Sequence, residues 1–235
     1  MGQPLIFSAI DRAVFEYNII EDGDRILIGA SGGKDSTALI EYFAMRSRRK
    51  NCNFQYKAVA VQSDFAPPFP ENIRKYFEEW NVPFEVIDVD IMGRLKEGRK
   101  MNCYWCSTQR RTELLRYAIA NGYNKIALGH HLDDILETLL MNMIEHQKLT
   151  AMPPVLQYEK YPVKIIRPLC YCAESSIIEH GRKAGYLGWT CTCSYQDNST
   201  RKTARKQLEF LTGGDVRKKQ HMFESLKNID RTYLP

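Results

Sequence analysis

Residues 26–36 read Ile-Leu-Ile-Gly-Ala-Ser-Gly-Gly-Lys-Asp-Ser. The apolar run Ile26-Leu27-Ile28 is short and rich in β-branched side chains, which predicts a central parallel strand buried on both faces. Gly32 and Gly33 allow the chain to turn sharply and a ligand to approach the amides closely. The residues that follow open a helix. Those amides therefore lie at a helix N-terminus, where unpaired N–H groups and the helix dipole favour an anion. Lys34 adds a point charge, and Ser31 and Ser36 add hydroxyls. The spacing is not that of Walker A, which places four residues between its first glycine and Gly-Lys-Ser/Thr. The plainer alternative is a glycine turn that merely joins strand to helix.

Upstream of this stretch, apolar positions Ile6, Ala9, Ile10, Ala13, Val14 and Tyr17 recur at helical spacing, so Pro4–Tyr17 is an amphipathic helix. Downstream, Thr37–Arg48 continues as a helix with a basic end, followed by a strand at Gln55–Gln62. The proline-rich segment Asp64–Pro70 comes next, as a loop after a strand end, which is where ligands sit in open parallel sheets. A helix at Glu71–Asn81, a strand at Phe84–Val89, a loop at Gly93–Lys100 and a helix at Ser107–Gly122 follow. A strand at Lys125–Leu128, a helix at Asp133–Met143, loops at Leu149–Pro154 and Gln157–Tyr161, and a strand at Lys164–Arg167 complete the alternation. This pattern specifies βαβ units and an α/β fold with a doubly wound, Rossmann-like parallel sheet. Beyond Tyr171 the chain is more helical and more polar, with helices at Ala173–Ala184, Arg201–Thr212 and Val216–Asn228. The expected division is a nucleotide-binding domain at 1–170 and a helical C-terminal extension at 171–235.

Two further groups of residues carry chemistry. Gly129-His130-His131-Leu132-Asp133-Asp134 follows a strand end directly, placing two histidines and two carboxylates where ligands bind. Taken singly, Asp134 reads as a helix cap and each histidine as a hydrogen-bonded structural group. Cys103-Tyr104-Trp105-Cys106 opens a helix, and Cys191-Thr192-Cys193 lies far downstream. A Cys-x-x-Cys pair brings two thiolates to one metal from a single turn, and a helix N-terminus lowers thiol pKa. Three readings stay open: structural zinc on Cys103, Cys106, Cys191 and Cys193; a redox dithiol; and an iron–sulfur cluster on three thiolates with one iron left open. Cys-x-Cys is a poorer zinc pair than Cys-x-x-Cys, and the sequence around the dithiol is not that of thioredoxin. Cys170 and Cys172 read as structural.

The chain resembles the ATP pyrophosphatase superfamily through Ser31-Gly32-Gly33-Lys34-Asp35-Ser36. More narrowly, it is similar to the tRNA 2-thiocytidine synthetases. Cys103 and Cys106 are followed by Arg110-Arg111, then by Gly129-His130-His131-Leu132-Asp133-Asp134, Met152-Pro153-Pro154, Arg167-Pro168-Leu169 and Tyr171-Cys172, all in that family's order. The likeness runs from about Glu16 to Gln207. It implies an adenine nucleotide alpha hydrolase-like fold and an enzyme that adenylates a tRNA cytidine, at C2 of cytidine 32, and thiolates it. ATP is then held by Ser31, Gly32, Gly33, Lys34, Asp35, Ser36, Gly129, His130 and Asp134. Asp35, Asp133 and Asp134 are the hard ligands available to Mg²⁺. The resemblance further implies a [4Fe–4S] cluster on Cys103, Cys106 and a later cysteine, Cys193, with Cys191 as the alternative, since this chain has Cys-x-Cys where the family has a second Cys-x-x-Cys. Lys34, Asp35, Cys103, Cys106 and Cys193 are the implied catalytic set. The implied partners are tRNA and a sulfur donor, either a cysteine desulfurase or sulfide. A homodimer is common in that family. The runners-up are a related sulfurtransferase acting on another tRNA base or a small molecule, and a zinc-stabilised nucleotide- or RNA-binding protein without catalysis.

Composition agrees with this class. The chain has 235 residues, a net charge of +5 and seven cysteines. Its apolar runs fall short of the ~20 residues that span a bilayer. The first residues lack the basic start and apolar stretch of a secretory signal, so a cytoplasmic location is expected, and cysteines there serve thiolate or metal chemistry rather than disulfides. The basic residues Arg201, Lys202, Arg205 and Lys206, with Arg217, Lys218 and Lys219, form either a face for RNA phosphates or a solvated helix pair.

Overall fold

A computed structural model describes residues 3–50, 52–95, 98, 100–187 and 199–233. Strand β1 (Arg25–Gly29) lies inside a six-stranded sheet because Ile26, Leu27 and Ile28 are all fully buried. The other strands are β2 (Gln55–Ser63), β3 (Phe84–Val89), β4 (Lys125–Ala127), β5 (Val155–Gln157) and β6 (Lys164–Ile166), in the order β3-β2-β1-β4-β6-β5. All neighbours pair in parallel except β5 with β6. Ile26 and Ile28 face a core shared with helices α1 (Leu5–Glu16), α2 (Lys34–Arg46) and α5 (Leu132–His146). Leu27 faces the other way, onto Leu114 and Ala118 of α4 (Cys103–Ala120). The sheet is thus covered on both faces, which is why its central strand is a continuous apolar run.

The remaining helices are α3 (Glu71–Glu79), α6 (Glu174–Ala184), α7 (Ser199–Thr212) and α8 (Val216–Ser225). Both α7 and α8 pack on α5. Among the described residues no helix is long and apolar enough to cross a membrane.

Two local expectations are corrected. Gln157, expected to open a loop, instead ends a three-residue antiparallel edge strand, Val155–Gln157, with Leu156 opposite Ile165. A strand that short shows no periodicity, and Pro153-Pro154 before it reads as loop, so only its partner β6 reveals it. Helix α4 begins at Cys103 rather than Ser107, because Asn102 caps it by accepting a 2.9 Å hydrogen bond from the Trp105 amide.

The order of strands makes the site. On leaving β1 the chain runs outward to β2 and β3, then returns to place β4 on the opposite side of β1. The loops after β1 and β4 therefore lie side by side at the carboxyl ends of neighbouring strands, where ligands bind in this architecture.

Candidate active site

The loop after β1 is closed by its own hydroxyls. Ser31 Oγ lies 2.9 Å from Ser36 Oγ and accepts a 3.3 Å hydrogen bond from the Gly33 amide. Ser36 Oγ donates to the Gly33 carbonyl at 3.1 Å. Gly32 takes φ of +79°, a left-handed conformation that a side chain would strain. Gly33 caps α2 without a side-chain acceptor, so no capping side chain takes up the first-turn amides, a helix start of the kind that favours an anion.

The loop after β4 is seated directly on this turn. A Cβ on Gly129 would lie 3.0 Å from the Ser36 amide nitrogen and 3.2 Å from the Asp35 carbonyl carbon, both backbone atoms that cannot swing aside. Gly129→Ala is therefore expected to wedge β4 from the phosphate loop and weaken ATP binding by at least about tenfold, roughly 1.4 kcal/mol, while the fold survives. Calorimetry with Mg-ATP checks this; wild-type affinity in the variant would show that the two loops need not touch.

Past Gly129, His131 and Asp134 form a reciprocal cap for α5. The Asp134 amide donates to His131 Nδ1 at 3.4 Å, and the His131 amide donates to Asp134 Oδ2 at 3.2 Å. With Nδ1 accepting, the proton of a neutral His131 is on Nε2, which lies 3.4 Å from Asp134 Oδ2 and 3.8 Å from Asp35 Oδ1. Burial raises the Asp35 pKa, against the pull of His131 and Lys34. Asp35 Oδ1 and His130 Nδ1 are buried and find no hydrogen-bond partner among the described residues. Burial lowers the His130 pKa to about 4; Asp134 opposes the shift while Arg167, Arg201 and Arg111 add to it. His130 is therefore a neutral imidazole at physiological pH. Burial alone would raise the Asp134 pKa, but His131 and Arg201 outweigh it and hold Asp134 as a carboxylate.

These groups share one cavity of about 330 Å³. Ser31, Asp35, Ser36, Gly129, His130 and Asp134 line its polar side, and Val59, Val61, Leu114 and Leu128 form an apolar floor. The remaining wall is α4, through Ser107, Arg110, Arg111 and Leu114. Those positions form one helical stripe, and the same stripe continues back to Cys103 and Cys106 in the first turn. Cys103 is half-buried and Cys106 buried. The loop after β2 closes the rim, with Ala66, Pro67 and Phe69 lining a small adjoining recess with Arg110.

Other sequence-singled residues lie elsewhere. Asp133 faces away from the cavity wall: Lys219 donates to its Oδ1 at 2.7 Å and the Glu174 amide to its Oδ2 at 2.8 Å. Lys34 does not line the cavity; its ammonium sits 2.9 Å from Glu174 Oε1 and 3.2 Å from Asp35 Oδ2. Cys191 and Cys193 lie outside the described residues, and among the described residues no three His, Cys, Asp or Glu side chains converge as a metal site. Cys170 and Cys172 are buried, and burial pushes the Cys170 thiol up to about 12 and raises Cys172 as well, so neither is a thiolate.

The basic face on α7 and α8 is partly spent internally. Arg205 Nε donates to Glu137 Oε1 at 2.7 Å, and Arg201 Nε lies 3.2 Å from Glu137 Oε2 without hydrogen-bond alignment. Lys219 is buried on Asp133, whereas Lys202, Lys206, Arg217 and Lys218 stay exposed. Sequence reasoning passed over Glu137 and Glu174, the carboxylates that receive these arginines. A lone acid on a helix carries no local sign of a partner some 70 or 30 residues away, which is the separation of Glu137 and Glu174 from Arg205.

Comparison with known proteins bears on the family and the fold. Residues 8–209 match the PP-loop domain family. The chain is 36% identical over 228 residues to the tRNA-cytidine(32) 2-sulfurtransferase of Cellvibrio japonicus, covering 94% of this chain and 75% of the relative. It is also 36% identical over 231 residues to that of Nitrosospira multiformis, covering 96% and 77%. The solved structure of the U34-tRNA thiolase NcsA from Methanococcus maripaludis with its [4Fe–4S] cluster superposes with a TM-score of 0.75 at 22% identity, covering 96% of this chain and 81% of that one, which establishes a shared fold. The chain belongs to the PP-loop family and, within it, to the tRNA-cytidine(32) 2-sulfurtransferases.

Proposed function

We propose that this chain uses ATP to activate C2 of cytidine 32 in tRNA and replaces the C2 oxygen by sulfur. The observation that carries the reading is the single cavity bounded on one side by the glycine loop and on the other by the α4 stripe that leads to Cys103 and Cys106. ATP seats its phosphates against Ser31–Ser36, on the first-turn amides of α2, with the apolar floor of Val59, Val61 and Leu114 available to the adenine. The cytidine C2 oxygen attacks the α-phosphorus, the bond to the β-phosphate breaks, and pyrophosphate leaves. Sulfide then adds at C2, and AMP departs with the original oxygen, so that ATP and sulfide yield AMP, pyrophosphate and a 2-thiocytidine.

The orphaned Asp35 Oδ1, with Asp134 alongside, suits a hard divalent ion, and Mg²⁺ there would offset charge on the phosphates. Lys34 acts electrostatically once it reaches the phosphates. Gly129 gives the close approach of the two loops, and neutral His130 supplies a hydrogen bond without repelling or pairing with phosphate. Cys103 and Cys106, two thiols from one turn at a capped helix N-terminus, fit a thiolate-bound [4Fe–4S] cluster, with Cys193, or else Cys191, as its third ligand. When bound, the cluster supplies the sulfur-handling chemistry. A cysteine desulfurase or free sulfide provides the sulfur, in the cytoplasm. Arg110 and Arg111 on the cavity wall, and the exposed Lys202, Lys206, Arg217 and Lys218, are the cations available to tRNA phosphates.

Nucleoside analysis of tRNA from cells lacking the gene tests this directly. The expected result is loss of 2-thiocytidine with the other thiolated bases intact. Unchanged 2-thiocytidine, or loss of a thiolated uridine instead, would overturn the assignment.

A further inference from the structure

Lys34 is the one charged residue of the glycine loop whose place in the structure differs from the place its chemistry requires. Its neighbours Ser31, Asp35 and Ser36 line the cavity, but its ammonium rests 2.9 Å from Glu174 Oε1, at the first residue of α6. Glu174 is fixed there by its own backbone, since its amide donates to Asp133 Oδ2 at 2.8 Å. Its second oxygen lies 3.6 Å from Arg205 Nη2, and Arg205 is itself held by a 2.7 Å bond to Glu137. Glu174 thus stands between a cation on a flexible stem and a cation anchored in the helical layer.

We propose that Glu174 is a positioning residue for Lys34, holding the ammonium beside the cavity until a triphosphate draws it in and receiving it again when pyrophosphate leaves. The inference rests on the reading that the glycine loop binds ATP. A triphosphate carries several negative charges against the two carboxylates, Glu174 and Asp35, that hold the ammonium in its absence, so it wins the ammonium when bound. A half-buried carboxylate stripped of its only cation would oppose that exchange. Arg205 removes the obstacle, because Glu174 keeps a partner after Lys34 departs. The two residues consequently act with opposite sign: Glu174 competes with nucleotide for Lys34, while Arg205 lowers the cost of letting it go.

Calorimetry on the full chain, with Mg²⁺ and an α,β-methylene analogue of ATP, separates this from a structural role. Glu174→Gln is expected to tighten the analogue by about threefold or more, and Arg205→Gln to weaken it by a similar factor. Glu174→Asp restores the carboxylate and moves affinity back toward wild type. In a Lys34→Met background the gain from Glu174→Gln is expected to vanish, whereas a general relief of negative charge would persist there. In turnover, Glu174→Gln lowers KM for ATP and lowers kcat together, and pyrophosphate becomes a stronger inhibitor. Wild-type binding of the analogue with unchanged or weaker binding by Glu174→Gln overturns the inference; no binding by wild type overturns instead the ATP reading of the loop.

Discussion

Cys103→Ala is expected to reduce tRNA thiolation to background, below about 1% of wild type, while Mg-ATP binding stays within about twofold. The separation follows from where the residue lies. Cys103 occupies the first turn of α4 and is not among the residues lining the cavity, whereas Arg110, Arg111 and Leu114 on the same stripe are. Alanine is the best helix former, and the Asn102 cap on the Trp105 amide does not involve the Cys103 side chain, so the helix and its cavity wall persist. A thiol that served only to pack would cost stability and spare turnover. The measurement is 2-thiocytidine formation by anaerobically prepared protein, run beside calorimetric ATP binding and iron content. Full thiolation by the variant would remove this cysteine from the chemistry. Cys52→Ala, at a partly exposed position that is not among the cavity-lining residues, serves as the control and is expected to be neutral.

Asp24→Ala is expected to destabilise the fold by about 3 kcal/mol, a large share of the 5–15 kcal/mol typical of a domain. Lys125 opens β4 and is 2% exposed, so its ammonium needs compensation inside the protein. Asp24 Oδ2 supplies it at 2.7 Å, assisted by Glu21 at 2.7 Å and the Ile19 carbonyl at 3.1 Å. Asp24 also accepts from the Glu21 amide at 2.6 Å and from Asn124 Nδ2 at 2.8 Å, tying the turn before β1 to the start of β4. Removing it leaves a buried cation whose remaining carboxylate, Glu21, is half exposed. Urea unfolding checks the magnitude, and a shift below about 1 kcal/mol would show that Lys125 finds water or Glu21 suffices. Adding Lys125→Met to Asp24→Ala is expected to recover much of the loss, because an apolar side chain of similar length no longer requires a counter-ion. The cluster sits at the opposite ends of β1 and β4 from the glycine loop, so ATP affinity of the folded fraction should be unaffected.

The chemistry of this chain is written in contiguous residues. Ile26-Leu27-Ile28 followed by a glycine pair and Lys34-Asp35-Ser36 specifies a buried strand, a tight turn and an anion-accepting helix start. Each of those consequences arises from the residues themselves within one turn. Strand and helix alternation likewise exposes the α/β sheet, and the order of the motifs from Cys103 to Cys172 points to one family. What adjacency alone cannot convey is pairing between distant segments. The edge strand Val155–Gln157 exists only because β6 lies beside it, and Gly129 must lack a side chain only because the Ser36 amide lies against it. The destination of Lys34 on Glu174, of Arg205 on Glu137 and of Lys219 on Asp133 was decided by helix packing, since the energy of a buried charge depends on which partner the fold delivers within about 4 Å rather than on its neighbours in the chain.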